Sequence, residues 1–230
     1  MEKGARCRSR TPPSSPQTRG MPRLLGTAEH RAADRGLNCF PSPRRVMPGP
    51  SGIEPGDSAP QFELPNANPA IGGETMSLRD VLGNNGAIIA FTCNHCPYVV
   101  GSEARIEGIA SKAASDGIGF VGINSNDPVN YESDSWDNMV KRANRGMGYA
   151  YLHDESQEIA SAYGAERTPE FYLLDSVGTI VYRGRLDDSP RDPSHASTSE
   201  LSDAMDEMAA GNSISVQRTE SIGCSVKWKM

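Results

Sequence analysis

The sequence predicts an α/β layered domain with a central mixed β-sheet flanked by helices. Three observations carry that expectation. Continuous apolar runs at 86–92 (GAIIAFT) and 118–123 (IGFVGI) have the unbroken hydrophobicity of strands buried on both faces. Stretches with apolar residues at helical spacing alternate with those runs. A later pair of strand-like segments, 170–174 and 179–183, is joined by Asp175-Ser176-Val177-Gly178, the composition of a hairpin turn.

Each element can be justified in order. The linker 48–55 is rich in Pro and Gly, and order is expected from about Asp57. Residues 59–64 (APQFEL) read as a short edge segment, and Gly72-Gly73 as a turn. Ser77 and Asp80 form a capping pair for a brief helix through Leu82. The first buried strand leads into a helix over about 96–115, with Ile106, Ile109, Ala110 and Ala113 on one face. Trp136, Met139, Val140 and Ala143 recur at helical spacing and stop at Gly146. A short strand at 149–152 precedes Asp154, a candidate cap for a helix through Tyr163. After Thr168-Pro169 comes the hairpin. Ser197 and Glu200 then form a capping box ahead of the stripe Leu201, Ala204, Met205, Met208 and Ala209, closed by Gly211.

Charge divides the chain. Residues 1–47 hold ten Lys/Arg against three Asp/Glu, and the rest holds thirteen against twenty-six. An acidic body lacks the cationic patch that nucleic acid and anionic lipid require, so neither is expected as a partner. Such a surface also suits a salt-rich cytoplasm, where dense carboxylates keep a protein hydrated. No apolar run in 1–47 is long enough for a signal-peptide core or a membrane span. This stretch, with the linker to residue 56, reads as a basic disordered tail or as sequence upstream of a true start at Met47. The expected domain is 57–211, and 212–230 is a C-terminal segment. With no export signal, the expected compartment is the reducing cytoplasm, where a CxxC is rarely a structural staple.

The chemistry concentrates in 91–98, FTCNHCPY. Cys93 falls where a strand ends and a helix begins, where unpaired N–H groups and the helix dipole favour thiolate over thiol. A free cysteine has a pKa of about 8.5, and such a position lowers it. Cys93 is therefore expected to be the exposed, attacking sulfur and Cys96, one turn further in, the resolving one. A protonated His95 between them would stabilise the Cys93 thiolate, and Pro97 suits the first helical turn. Thr168-Pro169, entering a strand, is a candidate cis peptide. Set against the CxxC, it would offer backbone groups to an extended substrate and keep metals off the sulfurs. A metal-binding module using Cys93, Cys96 and a histidine is the competing class, but a closed zinc site wants four ligands and one CxxC supplies half. His153 and His195 read as solvated, and Asp187 and Asp188 as an exposed acidic loop.

GAIIAFTCNHCPYV, TPEFYLLD and the hairpin Gly178-x-Ile180-x-Tyr182-Arg183-Gly184 resemble the thioredoxin-like superfamily. More closely, they are similar to the CxxC-containing, peroxiredoxin-like redoxins related to AhpC/TSA. APQFELP resembles the start of that group and GCSVKWK its C-terminal signature. The resemblance implies a thioredoxin-like fold with an N-terminal redoxin-type extension. It also implies thiol–disulfide exchange with an antioxidant role, without an organic cofactor or metal. Implied partners are thiol or disulfide proteins, low-molecular-weight thiols and, in a thiol-peroxidase alternative, peroxide. The redox pair maps to Cys93 and Cys96 and the cis-proline to Pro169, preceded by Thr168. Cys224 is expected to fold back on the domain with Trp228 as apolar anchor, either as a buried hydrophobe or as a third redox cysteine. Two departures stand out. The peroxidatic pattern Pro-x-x-x-Thr/Ser-x-x-Cys fits neither cysteine, since Ile89 and Cys93 precede Cys96 at those places, and Gly86 and Ala90 precede Cys93. Thr92 and Ala87 stand where thioredoxin has Trp and a buried Asp, so another group must handle proton transfer.

Overall fold

The computed structural model describes residues 52–230. The expectations for the basic tail and its cysteines, Cys7 and Cys39, fall outside the described residues. The first elements are β1 (Glu63–Pro65), β2 (Thr75–Ser77) and α1 (Leu78–Val81). β1 and β2 pair antiparallel, and α1 starts on the predicted capping box of Ser77 and Asp80.

The main sheet comprises β3 (Gly86–Phe91), β4 (Ile118–Asn124), β5 (Ala150–His153), β7 (Glu170–Leu174) and β8 (Ile180–Gly184), in the order β5-β4-β3-β7-β8. β3, β4 and β5 run parallel, while β7 and β8 are antiparallel additions. This is the predicted mixed sheet, and the fold is thioredoxin-like. The two-residue period of β3 divides its side chains between two cores. Ala87, Ile89 and Phe91 face one, with Leu78 and Val81 of α1 and Ala160 and Tyr163 of α4 (Glu158–Tyr163). Ile88 and Ala90 face the other. There they meet Ile106 and Ala110 of α2 (Pro97–Ser115), Met139 of α3 (Trp136–Ala143), and Leu201 and Met205 of α5 (Glu200–Ala209). Burial on both faces explains why 86–92 reads as an unbroken apolar run.

Two short strands close the site. β6 (Arg167–Thr168) pairs antiparallel with β9 (Cys224–Ser225), with Thr168 opposite Cys224. The C-terminal segment therefore folds back as expected, but its anchor is Val226, buried in the first core, whereas Trp228 stays exposed. Val226 lies two residues beyond Cys224 on the same side of the chain, and the strand ends at Ser225, well short of Trp228.

Several polar expectations are corrected. The capping box of α5 is absent: its N-cap is Ser199, Ser197 donates to Asp188, and Glu200 accepts from Arg185 and Thr198. Asp187 is buried against Arg105 rather than solvated. His153 is also buried, beneath Trp136, and burial lowers its pKa. His195 is exposed beside Asp192, as expected. Asp154 does cap α4, accepting from the amides of Ile159 and Ala160, although Gln157 is the N-cap residue.

Candidate redox site

The CxxC lies between the end of β3 and the start of α2. Helix α2 opens with Pro97, and its N-cap is Cys96 rather than Cys93. Both sulfurs are 0 % exposed, so Cys93 is not the exposed thiol the sequence suggested. Each sulfur meets Thr168. The Cys93 thiol donates to the Thr168 hydroxyl at 3.4 Å, and the Cys96 thiol donates to the Thr168 carbonyl at 3.1 Å. The Thr168–Pro169 peptide is cis, and Pro169 is buried. Glu170 holds this turn in place: its Oε2 accepts from the amides of Glu166 and Arg167 at 2.9 and 3.2 Å.

Cys224 completes a cluster of three thiols. It is half-buried and packs against Cys93, Cys96 and Val99. The neighbouring Cys93 thiol first, then Cys224 and the Val99 amide, favour the charged form of Cys96. They hold Cys96 below the usual thiol range even though burial works the other way. Cys93 moves up, because it gives its proton bond to Cys96, because it is buried, and because Asp134 stands nearby. Burial, then Cys96, pushes Cys224 up to about 11, while Lys227 and Arg167 pull against that rise. The N-cap position and its orphan amides belong to Cys96 rather than to Cys93.

A buried carboxylate that the sequence reading did not single out stands beside the site. Asp134 is fully buried and accepts from the Asn94 amide at 2.6 Å, His95 Nδ1 at 2.5 Å, Asn124 Nδ2 at 3.3 Å and Asn126 Nδ2 at 2.9 Å. His95 also stacks on Tyr131, with centroids 5.3 Å apart. Its Nδ1 is therefore engaged by Asp134, not free to act on Cys93 alone. Arg142, 8 % exposed, donates to the Cys93 carbonyl and pairs with Glu103, and Tyr151 donates to Asn94 Oδ1 at 2.9 Å. Asn126 carries the network outward, its Oδ1 accepting from the Lys227 amide at 2.8 Å.

Cys93, His95 and Asp134 place potential metal-ligating atoms within 4.8 Å of one another. This is a poor cage, because both Asp134 oxygens already accept hydrogen bonds and His95 Nδ1 is committed to one of them. A metal would have to displace the network that positions the loop. His153 and His195 sit on other elements, and neither joins this set.

Among solved structures, an uncharacterized conserved protein from Geobacillus kaustophilus is 39 % identical, with a TM-score of 0.69, over 76 % of this chain and 92 % of that one. A hypothetical protein from Sinorhizobium meliloti 1021 is 33 % identical, with a TM-score of 0.70, over 77 % and 96 %. No curated protein matches the chain. The family model described as Redoxin matches residues 54–200, a span that includes β1 through Glu200 and both CxxC sulfurs. A thioredoxin-like sheet, a CxxC at a helix N-terminus against Thr168, and this match agree: the chain is a thioredoxin-like oxidoreductase and belongs to the Redoxin family.

Proposed function

We propose that the protein is a thiol–disulfide oxidoreductase in which Cys93 and Cys96 cycle between dithiol and disulfide. The observation that carries this reading is the CxxC at the start of α2 with both sulfurs against Thr168 of the cis Thr168–Pro169 turn. A sulfur at a helix N-terminus is favoured as thiolate and makes a good leaving group, and the Cys96 pKa is lowered accordingly. Cys93, held as a thiol beside Asp134, supplies the resolving sulfur, and Asp134 with His95 is the route for its proton. Partners are thiols and disulfides, and a reducing cytoplasm supports such turnover with an antioxidant role.

Stabilising the Cys96 thiolate stabilises the reduced pair. The Cys93–Cys96 potential is therefore expected above that of thioredoxin, about −270 mV. Equilibration in glutathione buffers, with acid quenching and peptide mapping, measures it. Failure of a Cys93–Cys96 disulfide to form at any poise would overturn the reading.

One observation favours peroxide as a second substrate. The Thr168 hydroxyl, 3.4 Å from Cys93, offers from β6 the kind of oxygen that the motif fails to supply at Ala90. A single exposure of the Cys96→Ser protein to peroxide, with dimedone to trap sulfenic acid and peptide mapping, tests this directly. A dimedone adduct on Cys93 would support it as a peroxidatic sulfur, and its absence would remove that reading.

A further inference from the structure

The edge of β6 beside the CxxC is where an extended partner could pair its backbone next to the two sulfurs. It is already taken. β9 lies antiparallel on it with Cys224 directly opposite Thr168, the residue whose hydroxyl and carbonyl contact Cys93 and Cys96. β9 is firmly seated. The Val226 amide donates to the Glu166 carbonyl at 3.0 Å, and Val226 itself is buried. Asn126 and Gln157 bind the Lys227 backbone, and Gln157 Oε1 accepts from the Lys229 amide at 2.7 Å. Both CxxC sulfurs are closed to solvent, while Cys224 is only half-buried and touches Cys96.

Building on the oxidoreductase reading, we propose that β9 is an internal substrate strand and that Cys224 is the port through which the buried pair exchanges with low-molecular-weight thiols and disulfides. Extended protein strands are excluded from the edge that β9 occupies, whereas a small thiol can reach a half-exposed sulfur. The body of the protein is acidic, yet Arg167 and Lys227 stand beside Cys224. That local positive charge favours thiols that carry carboxylates.

The exchange balances in three steps. In the reducing direction, the Cys224 thiolate attacks the Cys96 sulfur of the Cys93–Cys96 disulfide. The Cys96–Cys224 bond forms, the Cys93–Cys96 bond breaks, and the proton released by Cys224 ends on Cys93. An external thiolate then attacks the Cys224 sulfur and expels Cys96 as thiolate, leaving a mixed disulfide on Cys224. A second external thiol frees Cys224 and leaves as the external disulfide. Two thiols are oxidised, the pair gains two electrons, and the reverse sequence oxidises it.

Full-length Cys93→Ser treated with glutathione disulfide and mapped without reductant should accumulate a Cys96–Cys224 bond. Cys224→Ser and, as a second variant, Cys224→Ala should oxidise their CxxC with glutathione disulfide at least tenfold more slowly than the native chain. The native rate should be severalfold higher with glutathione disulfide than with cationic cystamine, and Arg167→Gln should reduce that preference. Only a Cys96–glutathione adduct in Cys93→Ser, with native oxidation rates in both Cys224 variants, would overturn the port. A Cys96–Cys224 bond in Cys93→Ser with no Cys93–Cys96 bond in the native chain would instead sink the dithiol pair and leave the port standing.

Discussion

Cys93 and Cys96 are three residues apart, yet their surroundings push them in opposite directions. Cys93, Cys224 and the Val99 amide favour the charged form of Cys96, while Cys93 is buried beside the Asp134 carboxylate. A thiol whose pKa is lowered keeps its thiolate as pH falls below the ordinary value of about 8.5, and one whose pKa is raised stays protonated above it. In the reduced native chain, iodoacetamide at pH 7 followed by peptide mapping should therefore label Cys96 before Cys93. Faster labelling of Cys93 would reverse the roles. Asp134→Asn removes the negative charge that raises Cys93, so Cys93 should ionise at lower pH, read as thiolate absorbance near 240 nm. The same change leaves buried donors short of an acceptor, at a cost of about 1–3 kcal/mol. An unchanged titration would remove Asp134 from the chemistry. Cys93, Cys96, His95 and Thr168 were legible because their residue types sit at a strand–helix junction and a pre-strand turn. Asp134 was not, because one carboxylate among many in an acidic chain carries no local mark of burial.

Helices and strands were the most legible level, because periodicity is a local property. The β3 and β4 runs, the α2 face and the β7–β8 hairpin all follow from spacing within a dozen residues. The capping box predicted for α5 failed for a tertiary reason: Asp188, from the preceding loop, takes the Ser197 hydroxyl and amide that would have served the helix. Close backbone approaches were likewise invisible. Gly119 in β4 is one of them, since a Cβ there would lie 1.7 Å from the Val81 carbonyl oxygen and 2.8 Å from its carbon. That neighbour is backbone at the end of α1 and cannot swing aside. Gly119→Ala should force α1 off the sheet and destabilise the fold by about 1–3 kcal/mol or more. Gly178→Ala differs, because its Cβ would meet nothing within 4 Å and only the φ of +84° opposes it. Thermal melts of the two should therefore rank Gly119→Ala as the more damaging. The reverse order would mean that α1 yields easily.

Across the whole molecule, the sequence showed that the C-terminal segment belongs to the domain but not which surface it covers. That surface depends on the β6–β9 pairing, which joins residues 58 positions apart at Arg167–Ser225 and 56 apart at Thr168–Cys224. Arg183 performs a comparable long-range joining that spacing cannot reveal. Its guanidinium is almost fully buried and binds Glu170 Oε1 at 2.9 Å, the Ile53 carbonyl at 2.9 Å, Glu54 Oε1 at 3.0 Å and the Gly164 carbonyl at 2.7 Å. Glu170 in turn holds the Glu166 and Arg167 amides beside β6. One ion pair thus ties the start of the described chain, the α4–β6 turn and the sheet to the edge that carries Thr168. Arg183→Met removes the cation and leaves Glu170 buried without a partner charge, a loss of about 3–5 kcal/mol. Glu170→Gln in the same chain removes the stranded charge, so the double variant should recover part of that loss. Urea unfolding of the native, single and double variants measures the coupling. A double variant no more stable than Arg183→Met would mean that the carbonyl contacts of Arg183, rather than the buried charge on Glu170, set the penalty.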